Sequence, residues 1–85
     1  MYEIVFTKQA QKDKKLLKQA GLDKRAKALL GVIAENPFKN PPRYEKLVGD
    51  LAGYYSRRIN VQHRLVYQVY EELKTVKVLS MWTHY

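Results

Sequence analysis

The 85-residue sequence contains no cysteine. That absence excludes a disulfide framework, a thiolate zinc site and a thiol nucleophile. Histidine is nearly absent too. With only His63 and His84, no protein-held metal is expected, and nothing in the sequence asks for a cofactor. No apolar run approaches the ~18 residues that a membrane-spanning helix needs. No leader-like segment stands before the first apolar stretch, so the expected location is the cytoplasm, with no membrane partner. Low-complexity tracts, internal repeats and linkers are missing as well. Acidic residues are scarce, 8 against 16 Lys and Arg, which leaves a formal charge of +8 and a pI near 9.8.

What remains is a composition that folds. Apolar residues make up 46% and aromatics 12%, too much for a disordered chain. The length predicts one domain, residues 1–85, with a small core that buries roughly 60–65% of the unfolded surface. The charge is uneven. Between Thr7 and Ala28 eight basic residues face only Asp13 and Asp23, a local excess of +6. Such a surface suits a polyanion, either nucleic acid or an acidic protein, and equally a lysine-rich solvated helix face. The arginines of the second half are more telling, because a guanidinium grips phosphate bidentately and an ammonium does not.

Hydrophobic periodicity predicts an α+β domain. Tyr2–Phe6 reads as a strand, and Thr7 can cap a helix over residues 8–20 that Gly21 terminates. Asp23 is a plausible cap for a second helix with Ala26, Leu29, Leu30 and Ile33 inward, ended at Asn36-Pro37. So short a link makes the two helices an antiparallel hairpin. Residues 36–53 carry no period and read as a long irregular loop containing Glu45. Three strands follow, Tyr54–Ile59, Arg64–Tyr70 and Thr75–Trp82, as an antiparallel meander. The helices cover one face of a curled sheet, which leaves the other face polar, wet or available for binding.

On that open face Arg58 is expected to lie near Arg64 across the hairpin, with Arg57 pointing to the opposite side. Two like charges directly opposite are unfavourable unless an anion lies between them or carboxylates pair with each. His63 sits at a turn and reads as structural. His84, just after a strand, is a titratable group near neutrality. With Glu45, an arginine and a histidine the chain holds a base, an anion clamp and an acid. Those parts suffice for cleaving RNA through its 2′-OH, and DNA lacks that group.

The ordered series Glu45-x-Leu47, Leu51-x-Gly53, Ser56-Arg57-Arg58-Ile59, His63-Arg64-Leu65-Val66-Tyr67 and His84-Tyr85, preceded by Asn36-Pro37-Phe38, resembles the YoeB/Txe toxins of the RelE superfamily. The resemblance covers residues 36–85 closely and the first 35 in outline, without the Trp-rich first helix usual in that family. It implies a RelE-like fold and the toxin of a type II toxin–antitoxin pair. The implied activity is a ribosome-dependent endoribonuclease that cuts mRNA in the A site. In the implied site Glu45 is the general base, Arg64 the phosphate-stabilising arginine, His84 the general acid and Tyr85 the residue that shapes the site. Arg58, Lys46 and Arg57 would bind substrate. Where the family carries Glu-Pro-Leu-Lys, this chain has Glu45-Lys46-Leu47-Val48. Val48 cannot bind phosphate, and Lys46 is left to supply charge from a different direction. The implied partners are a cognate antitoxin with an acidic or amphipathic tail, the ribosome with its rRNA, the mRNA and, as a further assembly, a homodimer. Competing readings are a same-fold, ParE-like inhibitor of DNA gyrase that lacks nuclease chemistry, and a non-catalytic RNA-binding protein. A helix-turn-helix regulator is disfavoured, because the helical link is too tight and Pro37 follows it.

Overall fold

A computed structural model describes residues 1–83. His84 and Tyr85 lie outside the described residues. The elements are β1 (Glu3–Phe6), α1 (Lys8–Gln19), α2 (Asp23–Glu35), β2 (Tyr44–Lys46), a 3₁₀ turn (Gly49–Leu51), β3 (Tyr55–Arg58), β4 (Arg64–Tyr70) and β5 (Thr75–Thr83). They form one five-stranded sheet in the order β1-β5-β4-β3-β2. β1 runs parallel to β5, and every other pair is antiparallel. The expected N-terminal strand, helical hairpin and three-stranded meander are all present, in the RelE-like arrangement. Among the described residues no helix is long and apolar enough to cross a membrane.

The stretch read as irregular holds a fifth strand. β2 has only three residues, too few for a period to show. Its pairing comes from β3, where Tyr44, Glu45 and Lys46 face Arg57, Ser56 and Tyr55. Glu45 therefore sits on an edge strand and not in a loop.

Local chemistry sets the helix ends. Thr7 caps α1 by accepting the Ala10 N–H at 3.1 Å. Gly21, at φ 73°, ends it. Leu22 N–H reaches back to Leu17 O at 2.8 Å and Gly21 N–H to Lys18 O at 3.2 Å, the paired bonds of a Schellman ending. That ending moves the start of α2. Leu22, already tied to α1, takes the cap position without a side-chain bond, and Asp23 becomes the first helical residue. There its charge still favours the positive end of the helix dipole.

The core joins Ala10 and Leu17 of α1, Ala26 and Ile33 of α2, and Leu65, Tyr67, Val76, Val78 and Met81 of the sheet. Within it lies one carboxylate, Asp13, 2% exposed. The reason is in β5. Tyr67 pairs with Val78, Val66 with Ser80 and Arg64 with Thr83, so the register slips twice. Leu79 is an extra residue at one slip, and Met81 and Trp82 both stand against Leu65 at the other. Bulges leave backbone groups outside the ladder that need partners when buried. The cap and second turn of α1 supply them. Asp13 accepts the Met81 N–H at 2.9 Å, and the Thr7 hydroxyl donates to Leu79 O at 2.7 Å. The sequence presented Asp13 only as a minority charge among lysines.

Asp13→Ala orphans the Met81 N–H. It should lower the unfolding free energy by about 1–3 kcal/mol, read by urea denaturation. A loss within the scatter of exposed-lysine variants of α1 would refute the role.

Candidate functional site

The site is built outward from a buried cation. Arg57 is 1% exposed, and its guanidinium donates to neutral oxygens. Its Nη1 donates to Pro42 O at 2.5 Å, its Nη2 to Pro37 O and Lys39 O at 2.9 Å each, and its Nε to the Tyr67 hydroxyl at 3.2 Å. The Tyr67 hydroxyl in turn donates to Pro37 O at 2.7 Å. The Tyr44 ring lies 5.2 Å from the guanidinium carbon, an ordinary cation–π distance. Phe38 packs edge-on to Tyr55 at 5.1 Å. A planar fork of donors is thereby filled by carbonyls of residues 37–42. The segment before β2 cannot move without breaking several of these bonds together.

Arg57 was expected to bind substrate, and the structure corrects this. Burial, with all three guanidinium nitrogens engaged inside the fold, removes it from the accessible surface. Lys46 is exposed, but strand alternation sends it to the opposite side from Glu45, and it does not line the cleft described next. Val48 is 83% exposed, an aliphatic group where the resemblance leads one to look for a lysine.

With Pro42 fixed, a cleft of about 350 Å³ opens between the edge of the sheet and its open face, lined by Pro42, Arg43, Glu45, Ser56, Arg58 and Arg64. The register accounts for this. Glu45 faces Ser56, and Arg58 faces Arg64, so alternate residues of three strands share one surface. Arg64 Nη1 lies 3.1 Å from Glu45 Oε2, with side chains 15% and 40% exposed, and contacts Ser56 Oγ at 3.4 Å. Three arginines and one carboxylate line the cleft, so it attracts anions. Of the site residues expected from sequence, the structure brings Glu45, Arg58 and Arg64 together. It leaves Arg57 and Lys46 out, and His84 and Tyr85 lie outside the described residues. Arg43 and Ser56 line the cleft although their roles were not read from the sequence. Arg43 follows two prolines in a segment with no period, and the Ser56 signal was its alternation with Arg58. Among the described residues no three His, Cys, Asp or Glu side chains gather as a metal-binding group.

The approach to Arg64 from the C-terminal side is also fixed. Thr83 pairs with Arg64. The Trp82 ring stacks on His63 with centroids 3.8 Å apart. His63 is held at the turn by Asn60, whose side-chain oxygen accepts the His63 and Gln62 N–H groups at 2.7 and 2.9 Å.

Comparison with known proteins adds the following. A family model described as a YoeB-like toxin of bacterial type II toxin–antitoxin systems matches residues 6–85. Over 75 residues the chain is 41% identical to Toxin YoeB of Synechocystis sp., spanning 88% of this chain and 78% of that one. A solved structure of a YoeB/ParE toxin from Agrobacterium tumefaciens superposes with a TM-score of 0.88 at 30% identity, covering 98% of this chain and 99% of the other. A chain of the heterotetrameric YoeB–YefM toxin–antitoxin complex from Staphylococcus aureus gives a TM-score of 0.83 at 39% identity, covering 100% of this chain and 99% of that one.

Two outcomes follow from the buried cluster. Lysine cannot reproduce the fork, so Arg57→Lys should cost on the order of 3 kcal/mol of stability, while Arg58→Lys next to it should stay within about 0.5 kcal/mol. Denaturant midpoints distinguish them, and equal losses would contradict the assignment. The second outcome concerns pH. Burial pushes the Tyr67 phenol above its ordinary value, with Arg57 offsetting part of the rise. The stability it gives is whole below the unfolded value of about 10 and declines as pH climbs toward the folded one. Tyr67→Phe cannot ionise. Its stability deficit relative to wild type at neutral pH should therefore narrow above about pH 10, and a constant gap would show that the phenol does not titrate on unfolding.

Proposed function

The chain belongs to the family of YoeB-like toxins of bacterial type II toxin–antitoxin systems, and from that membership we propose that it is an endoribonuclease that cuts messenger RNA in the ribosomal A site and so halts translation. The observation that carries the reading is the Glu45–Arg64 ion pair at 3.1 Å, set among further arginines in an open cleft.

The chemistry follows from those groups. Glu45 takes the proton from the ribose 2′-OH, and the oxygen attacks the adjacent phosphorus. The phosphorane that forms carries additional negative charge, which Arg64 and Arg58 stabilise more strongly than the ground state. The bond to the 5′-oxygen breaks as His84 delivers a proton to it. The products are a 2′,3′-cyclic phosphate and a 5′-hydroxyl, with no net oxidation. Glu45 and Arg64 need not separate far, since a carboxylate can accept the proton on one oxygen while the other stays near the guanidinium. Tyr85 shapes the site around the leaving nucleotide. The roles of His84 and Tyr85 rest on the family resemblance. The pairing of Thr83 with Arg64 supports them, because His84 is the next residue in the sequence.

The same positive surface suits the partners. A cognate antitoxin with an acidic or amphipathic segment would cover it, and rRNA would meet it through phosphates. Contacts of either kind should weaken with salt. A homodimer fits the same family reading.

Primer extension on a translated message should map a discrete cut within the occupied A site. Glu45→Gln, Arg64→Ala and His84→Gln should each lose about 10²-fold or more in cleavage rate while keeping the wild-type melting temperature. A single 2′-deoxy substitution at the scissile nucleotide should abolish the cut. Undiminished toxicity in all three variants, together with inhibition of DNA supercoiling by gyrase, would replace this reading with the ParE-like one.

A further inference from the structure

Next to the cleft lies a second recess of about 230 Å³ that shares Pro42 and Arg58 with it, and whose walls also include Arg25, Leu29, Val32 and Ile59. Three of these come from α2 at the spacing i, i+4, i+7, a single stripe of the helix. A different stripe of α2, Ala26 and Ile33, is buried in the core. Leu29 was expected in the core and is only half-buried, because this recess takes part of its surface. Arg25 is exposed. The recess therefore combines an apolar lining with two guanidinium groups and opens beside the reacting groups.

Its size and character limit what it can hold. At about 230 Å³ it is smaller than the ~300–1,000 Å³ of pockets for whole ligands, and it suits one flat group. An amphipathic helix would need a groove with anchors over two turns. Arginine supplies planar, bidentate donors for phosphate, and both charged groups here are arginines. Continuity through Arg58 places the occupant on the same strand as the group in the cleft.

We infer that this recess is a nucleotide subsite of the RNA substrate. The base next to the scissile linkage lies against Leu29, Val32, Pro42 and Ile59. Arg58, common to both hollows, holds the phosphate between the two positions, and Arg25 holds the next phosphate along. The inference takes its substrate from the endoribonuclease reading and extends it by assigning a face of α2 to the positioning of RNA.

Binding separates this claim from the chemistry. The probe is a fluorescent RNA trinucleotide with 2′-O-methyl riboses, which has no free 2′-OH to attack and cannot be cut. Fluorescence anisotropy with the full chain should show Arg25→Glu binding about tenfold more weakly. Arg25→Ala should make the slope of log K against log salt shallower by about 0.7, one phosphate contact on a single strand. Lys24→Glu makes the same charge change one residue away, on an exposed position outside the recess. It should weaken binding less than threefold. Equal losses in the Lys24 and Arg25 variants, no loss in Arg25→Glu, or no binding by the wild type would each overturn the subsite. Arg25→Glu that weakens only the antitoxin would overturn it too and give the recess to a protein partner. None of these results bears on cleavage by Glu45 and Arg64, which is read on the ribosome.

Discussion

A single buried guanidinium fixes the geometry around which the candidate site is arranged. Arg57 is held by carbonyls of Pro37, Lys39 and Pro42 and by the Tyr67 hydroxyl. Burying a charge is costly unless its donors are satisfied. Here neutral dipoles do the satisfying, and they come from a segment with no regular structure of its own. The cost and the order therefore go together. The fork accepts its carbonyls only when residues 37–42 adopt one path, and that path delivers Pro42 and Arg43 to the cleft wall and Tyr44–Lys46 to the edge of β3. Glu45 meets Arg64 because Arg57 has fixed the segment before it.

Arg57 and Arg58 show how far the sequence could be read. Strand alternation alone sends the two to opposite faces, and the pairing of Arg58 with Arg64 was legible from the hairpin. The burial of Arg57 was not, since most of its partners lie some 15 to 20 residues upstream and are backbone carbonyls, which any sequence provides. β2 stayed hidden for a related reason. Three residues carry no period, and what makes them a strand is a neighbour distant in sequence. The helices, Thr7 as a cap, Gly21 as a terminator and the last three strands were legible because their signals are local: spacing, caps and turn residues. The misplaced cap at Asp23 fits the same rule, because the Schellman bond from Leu22 to Leu17 couples one helix end to the next helix start.

The cleft concentrates charge in a way a structural role would not require. Arg58 and Arg64 stand directly opposite each other, an arrangement that disfavours the free protein. Glu45 neutralises one of them, and Arg43 adds a third positive group. Among the described residues, the cleft wall therefore carries three guanidinium groups against one carboxylate. Arg57, each of whose three guanidinium nitrogens has a partner inside the fold, contrasts with Arg58 beside it, which is exposed on the cleft wall.

The two bulges of β5 complete the logic from the opposite end of the chain. In an unbroken ladder continued from the Tyr67–Val78 pair, Met81 would face Arg64, and the strand would overrun that arginine by two residues, about 7 Å at ~3.3 Å per residue. One slip alone would turn the following side chains to the wrong face. Two slips restore the facing and draw Thr83 back to Arg64. Both are held by α1, through Thr7 on Leu79 and Asp13 on Met81. The helical hairpin is thereby more than a cover for the core. Its first turns set the register of β5 against β4, so a carboxylate among the lysines of α1 helps decide which residue of β5 stands against Arg64.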